Sequence, residues 1–211
     1  IWDADLPPVD ASEWQTAYAR LIMPGYFEAP DKTAEAFDDE GFFITGDAMR
    51  FVDPDDINKG LKFDGRISED FKLLTGTWVR AGQLRLDMLK CLGPLAADLV
   101  ITGADRDQIG ILIFPNMGEV ESEGFAQTEE NGALTDPLLL GEVHRRLAEH
   151  AAAGASSSTR VARAMVLSEP ASMADGEMTA KGNLNFRKVL ATRAALLERL
   201  YAEGDPCVTT L

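Results

Sequence analysis

The sequence predicts an α+β fold, compact from about residue 67 to the end. Three observations point to it. Apolar runs of strand length occur at residues 99–102 and 109–114, around the polar turn Asp105-Arg106-Asp107. Segments with helical apolar spacing occupy residues 83–92, 137–153 and 185–201. Residues 71–74 and 78–80 flank Thr75-Gly76-Thr77 as a β-hairpin.

Taken in order, residues 1 to about 30 read as irregular, with Pro7-Pro8 early and Pro24-Gly25 late, apart from a short helix over 11–21 capped by Asp10. Residues 31–37 read as a second helix, ending before the acidic turn Asp38-Asp39-Glu40. Residues 41–44 are strand-like and close at Gly46-Asp47; a strand over 48–52 then runs into Asp53-Pro54-Asp55-Asp56. A short strand follows at 61–64. In the helix at 83–92, Leu84, Met88 and Leu92 share one face. Residues 115–135, rich in Gly and Glu, read as a surface loop. The helix over 137–153 turns Leu140, Val143, Leu147 and His150 to one side, and Gly154 to Ser158 ends it as a flexible break. A strand at 160–167 and a single long helix at 185–201 complete the chain.

Composition bounds the function. A chain of 211 residues with 45% apolar content can bury a core in one or two domains. A net charge of −15 argues against nucleic acid and against an anionic membrane surface, because both need a basic face. Cys91 follows an apolar helical run and reads as a buried small hydrophobe; Cys207 sits in a polar tail. Two distant cysteines, no membrane-length apolar stretch and no leader-like start predict a cytoplasmic chain. His144 and His150 lie on different sides of their helix, so no metal site is expected. The Ser156-Ser157-Ser158-Thr159 run lacks the Gly-Lys-Ser/Thr ending of a phosphate loop and reads as a linker.

Three stretches in fixed order carry chemistry: Gly41-Phe42-Phe43-Ile44-Thr45-Gly46-Asp47, then Gly65-Arg66 leading into Lys72-Leu73-Leu74-Thr75-Gly76-Thr77-Trp78-Val79, and finally Gly176-Glu177-Met178-Thr179-Ala180-Lys181-Gly182. A carboxylate after a tight Thr-Gly turn can accept hydrogen bonds from vicinal hydroxyls. An arginine fork beyond it can meet a phosphate or ribose oxygens. A lysine on a distant loop can offset developing negative charge. Each feature alone also suits an ordinary turn or a surface ion pair.

Together, their order and spacing resemble the adenylate-forming (AMP-binding) superfamily of acyl-CoA synthetases and luciferases. Phe63-Asp64-Gly65-Arg66 and Glu69-Asp70-Phe71-Lys72 are most similar to feruloyl-CoA synthetases. The resemblance runs from about Pro24 to Tyr201 and matches the carboxy-terminal third of such enzymes. It implies a small α+β domain, with a mixed sheet, flanking helices and a β-hairpin, preceded by the end of the large domain. Residues 1–66 would be the end of the large adenylation domain, and 67–211 the mobile carboxy-terminal domain. By the same resemblance, Asp47 and Arg66 would hold the nucleotide, with Ser68 and Glu69 at the hinge. Lys72, Gly76 and Trp78 would line the CoA and substrate channel, and Lys181 would be catalytic. Counted strictly from Thr179, the catalytic position falls instead on Asn183. The full protein would use a carboxylic acid, ATP with Mg²⁺, and coenzyme A, and would need the large amino-terminal domain in cis. The implied product is a thioester of ferulate or a related hydroxycinnamate, and the 211-residue chain by itself would be inert. A general fatty or aryl acyl-CoA ligase and a non-catalytic binding or regulatory domain of the same fold are the alternatives.

Overall fold

The structure is a computed structural model that describes residues 23–39, 41–66 and 69–211. The expected helix over 11–21 lies outside the described residues. The chain divides into two compact units, with the break between Ser68 and Glu69.

In the first unit, helix α1 (Pro30–Glu35) starts with a proline, whose missing N–H costs nothing at a helix start. Residues 41–44 do not form a strand. Phe43 instead makes an isolated antiparallel bridge to Phe37, and their rings meet edge-to-face with centroids 5.6 Å apart. The Asp38 carboxylate accepts from the Phe42 amide at 2.8 Å, closing a side-chain-bonded turn that competes with extended structure. Strands β1 (Asp47–Phe51) and β2 (Leu61–Arg66) pair antiparallel, joined by the acidic turn and a short 3₁₀ helix, Ile57–Lys59.

The second unit opens with the hairpin β3 (Phe71–Lys72) and β4 (Trp78–Val79), where Lys72 pairs with Trp78. Helix α2 (Ala81–Leu92) follows, burying Ala81, Leu84, Met88 and Leu92. Then come β5 (Ala96–Thr102) and β6 (Ile109–Pro115). The stretch expected to be a surface loop is instead ordered as helix α3 (Met117–Ser122) and a small hairpin, β7 (Glu129–Glu130) and β8 (Ala133–Leu134). Val120, Ala133 and Leu134 are buried, so a few apolar side chains in a polar stretch anchor it.

Helix α4 (Pro137–Ala152) is capped by the Asp136 carboxylate, which accepts from the Leu138 amide. It buries Val143 and Leu147 as expected, together with Leu139, while Leu140 and His150 at the edge of the expected side are only half-buried. Residues 156–160 form a hydrogen-bonded turn and not a loose break: Arg160 N donates to Ser156 O at 2.8 Å. Strand β9 (Val161–Val166) comes next. The expected single helix at 185–201 is two, α5 (Phe186–Thr192) and α6 (Ala194–Tyr201), meeting at Arg193. Strand β10 (Val208–Thr210) ends the chain.

The main sheet has the order β10-β9-β6-β5, with β6 and β9 parallel and the other pairs antiparallel. The parallel pair requires a crossover, supplied by the α3-to-α4 segment. Strand β6 is buried on both faces, as a strand covered by helices on either side must be. Ile109, Ile111 and Ile113 pack toward α2 and α4, while Leu112 and Phe114 pack toward α5 and α6. Cys207, expected in a polar tail, is fully buried in that second cluster, because β10 adds to the sheet edge. Cys91 is half-buried, its thiol donating to Arg146 O at 3.2 Å.

Candidate functional site

The predicted residues fall into three groups. In the first unit, the register of β1 against β2 sets Asp47 directly opposite Arg66. Residues 19 positions apart therefore share one end of the ribbon. Gly46 takes a left-handed φ of +71°, and the Asp47 amide donates to Thr45 Oγ1 at 3.2 Å. This local turn is what delivers Asp47 to the start of its strand.

At the break, Ser68 lies outside the described residues, and Glu69 is half-buried at the start of the second unit.

In the hairpin, Lys72 is exposed and Trp78 is 55% exposed, so the indole is not a core aromatic. Trp78 lines a cleft of about 330 Å³ together with Gln83, Asp87, Ser158 and Thr159. Gly76 occupies the tip with φ +88°, and a Cβ there would meet nothing within 4 Å. A backbone bond from Leu74 N to Arg106 O at 2.9 Å ties the hairpin to the turn between β5 and β6.

Lys181 sits on the third feature, a tight excursion before α5. Met178 and Leu184 make an antiparallel bridge. Above it, Thr179 N donates to Asn183 O at 2.8 Å, and Gly182 N donates to Thr179 O at 2.9 Å. Gly182 has φ +80°, which explains a glycine after the lysine: the tip turns through left-handed backbone. Lys181 and Asn183 are both exposed there, and Lys181 makes no ion pair among the described residues.

Sequence reasoning missed the residue beneath this tip. Glu177 is 1% exposed in side chain, and Arg193 grips it with a two-pronged ion pair, Nε to Oε1 at 2.7 Å and Nη2 to Oε2 at 2.9 Å. The Ser172 amide donates to Oε2 at 2.8 Å, and the Thr192 hydroxyl donates to Oε1. Arg193 foremost holds the Glu177 carboxyl down at about 2, against a burial penalty that acts in the other direction. A loop glutamate carries no periodic signal, and Arg193 lay hidden inside what read as one continuous helix.

Among the described residues, no group of three or more His, Cys, Asp or Glu is placed to hold a metal ion, and no helix is long and apolar enough to cross a membrane.

A family model described as AMP-binding enzyme C-terminal domain matches residues 72–205. The chain belongs to that family. Its members are parts of adenylate-forming enzymes, and the mixed four-stranded sheet with flanking helices is their small α+β domain. The chain is 25% identical over 193 residues to a probable acyl-activating enzyme 16 of the chloroplast from Arabidopsis thaliana, matching 85% of this chain and 26% of the enzyme. It is 30% identical over 129 residues to a probable 4-coumarate–CoA ligase 2 from Dictyostelium discoideum, matching 61% of this chain and 20% of the ligase. The crystal structure of the adenylation domain of a carboxylate reductase from Mycobacterium chelonae superposes with a TM-score of 0.66 at 25% identity, covering 85% of this chain and 26% of that domain. The chain thus spans a fifth to about a quarter of the length of these relatives.

Proposed function

We propose that this chain is the end of a large adenylation domain (residues 1–66) followed by a mobile carboxy-terminal domain (residues 67–211) of an ATP-dependent acid–thiol ligase. The observation that supports it most is the family match over residues 72–205, which spans the hairpin of Gly76 and the tip of Lys181.

In the proposed first step, a carboxylate oxygen attacks the α-phosphorus of Mg-ATP, and the bond to pyrophosphate breaks. Asp47 and Arg66, cross-strand neighbours, hold the nucleotide, and the Lys181 ammonium offsets charge growing on the acid and the α-phosphate. In the second step, the two domains turn about residues 68 and 69, and the thiol of coenzyme A attacks the acyl carbon while AMP leaves. The bare Gly76 tip then admits a thin pantetheine arm beside Lys72 and Trp78. The free 211-residue chain is inert in this proposal, because the surfaces that cradle the triphosphate and the acyl group belong to the preceding domain.

The acid we propose is a hydroxycinnamate such as ferulate. The wording Phe63-Asp64-Gly65-Arg66 and the 30% identity to a probable 4-coumarate–CoA ligase support it. The acyl-activating and carboxylate-reductase relatives support the wider class of acid-activating enzymes instead. A second reading, a non-catalytic domain, is favoured by one observation: counted from Thr179, the catalytic position carries Asn183.

The test is thioester formation by the full-length protein with ATP, Mg²⁺ and CoA against a panel of cinnamates and fatty acids. Preference for ferulate or coumarate is expected. Preference for fatty acids overturns the substrate, and no thioester with any acid overturns the ligase.

A further inference from the structure

We propose that Glu177 is the positioning residue of the Lys181 tip, holding its base through Arg193.

An ionised side chain withdrawn from water is tolerated only when its oxygens are fully satisfied. Glu177 meets that condition: its two oxygens take donors from Arg193, Ser172 and Thr192. Its backbone joins both limbs of the excursion. The Glu177 amide donates to Ser172 O at 2.8 Å on the incoming side, and its carbonyl accepts from Asn185 N at 2.8 Å on the outgoing side. One residue thus ties the approach, the return and the helix behind them.

The far partner is itself immobilised. Arg193 lies where α5 meets α6, its amide donating to Val189 O at 2.8 Å and its carbonyl accepting from Leu197 N at 2.9 Å. Its remaining guanidinium donors reach Pro170 O at 3.1 Å and the exposed Glu169 at 3.2 Å. Leu196 and Leu200 of α6 pack in the buried cluster against the sheet. Rigid sheet, helix junction, Arg193 and Glu177 therefore form one chain of contacts ending under the Met178–Leu184 bridge. Only the turn from Thr179 to Asn183 extends beyond it, and Lys181 is at its apex. The tip is a short hairpin on a braced base, and a reacting ammonium needs that restriction.

The catalytic part of this inference rests on the proposed role of Lys181; the geometric part does not. The experiment therefore has two arms. In the full-length protein, hydrogen exchange is read at the Ser172 and Asn185 amides for wild type, Glu177→Gln and Thr192→Val. In the full-length protein, acyl-AMP formation and thioester formation from supplied acyl-AMP are measured separately, beside Lys181→Ala. Glu177→Gln is expected to release both amides while the β6 amides stay protected. It should also slow acyl-AMP formation by about a hundredfold, the scale of loss for a reacting group displaced by about 1 Å. Thioester formation from supplied acyl-AMP should keep its wild-type rate. Thr192→Val, which leaves the ion pair intact, should move the same quantities less and decides the matter if Glu177→Gln does not fold. Unchanged exchange at both amides, or equal loss in the two steps, overturns the positioning role. If Lys181→Ala leaves acyl-AMP formation intact, the catalytic role of Lys181 fails, and the exchange arm alone decides what Glu177 holds.

Discussion

Glu177 and Arg193, 16 residues apart, meet as a two-pronged ion pair, with the carboxylate 1% and the guanidinium 11% exposed. The pair joins a loop to the junction of two helices, so its loss touches both order and stability. Removing Glu177 leaves the largely buried Arg193 with only the exposed Glu169 as counter-charge, and breaking a buried pair in this way costs about 3–5 kcal/mol. Urea unfolding of Glu177→Ala should show a loss of that order, and near-wild-type stability would contradict it.

The same pair makes the fold sensitive to acid. The Glu177 carboxyl is lowered from its ordinary 4.5 to about 2, with Arg193 the first cause. A group whose folded value lies below its unfolded one stabilises above the unfolded value and loses that contribution as pH falls. Wild-type stability should therefore drop between about pH 4.5 and pH 2, and the Glu177→Gln profile should be flatter over that window. Glu142 is lowered to about 2 by Arg145 and then Arg146, but Arg145 is 53% exposed, so solvent screening reduces its share.

Lys181 and Asn183 are separable by substitution. Both are exposed on the tip, so alanine at either should change the unfolding free energy by no more than a surface substitution does, about 0.5 kcal/mol. In the full-length protein, Lys181→Ala should abolish most acyl-AMP formation while Asn183→Ala keeps it. The reverse result would assign the catalytic position to Asn183.

Gly76 offers a test in the other half of the proposed cycle. A methyl there meets nothing within 4 Å, and its φ is +88°, so Gly76→Ala costs backbone strain of about 1 kcal/mol and no clash in the isolated chain. Acyl-AMP formation should persist, while thioester formation falls because the pantetheine path narrows. Equal rates in both steps for wild type and variant would remove Gly76 from the channel.

Gly110, in the doubly covered strand β6, is required for packing. A Cβ would lie 2.8 Å from Leu200 Cδ2, 2.9 Å from the Tyr201 hydroxyl and 3.0 Å from Thr102 Oγ1. Those two hydroxyls are already hydrogen-bonded to each other at 2.8 Å. Gly110→Ala should therefore destabilise by about 1–3 kcal/mol, read by thermal unfolding with activity per folded molecule unchanged.

Where periodicity is strong and local, structure follows from it. Leu84, Met88 and Leu92 are buried on α2, the hairpin turns at Gly76, and β5 and β6 lie where apolar runs stand. Signals failed where a few long-range contacts decide. Val120, Ala133 and Leu134 order a polar stretch, Arg193 divides what reads as one helix, and Cys207 is drawn into the core by an edge strand. Asp47, Arg66, Gly76 and Lys181 stand out in the sequence because turns and charges mark them in the chain, and their proposed roles await the substitutions above.

The sequence alone determined the α+β class, the order of the chemistry-bearing stretches and the glycines at their turns, since backbone preference and apolar period act over a few residues. The tertiary structure alone decided that Asp47 stands opposite Arg66 and that the Lys181 tip rests on Glu177 and Arg193. Strand register and buried ion pairing join residues distant in the chain, and no local pattern encodes which partner a buried charge will find.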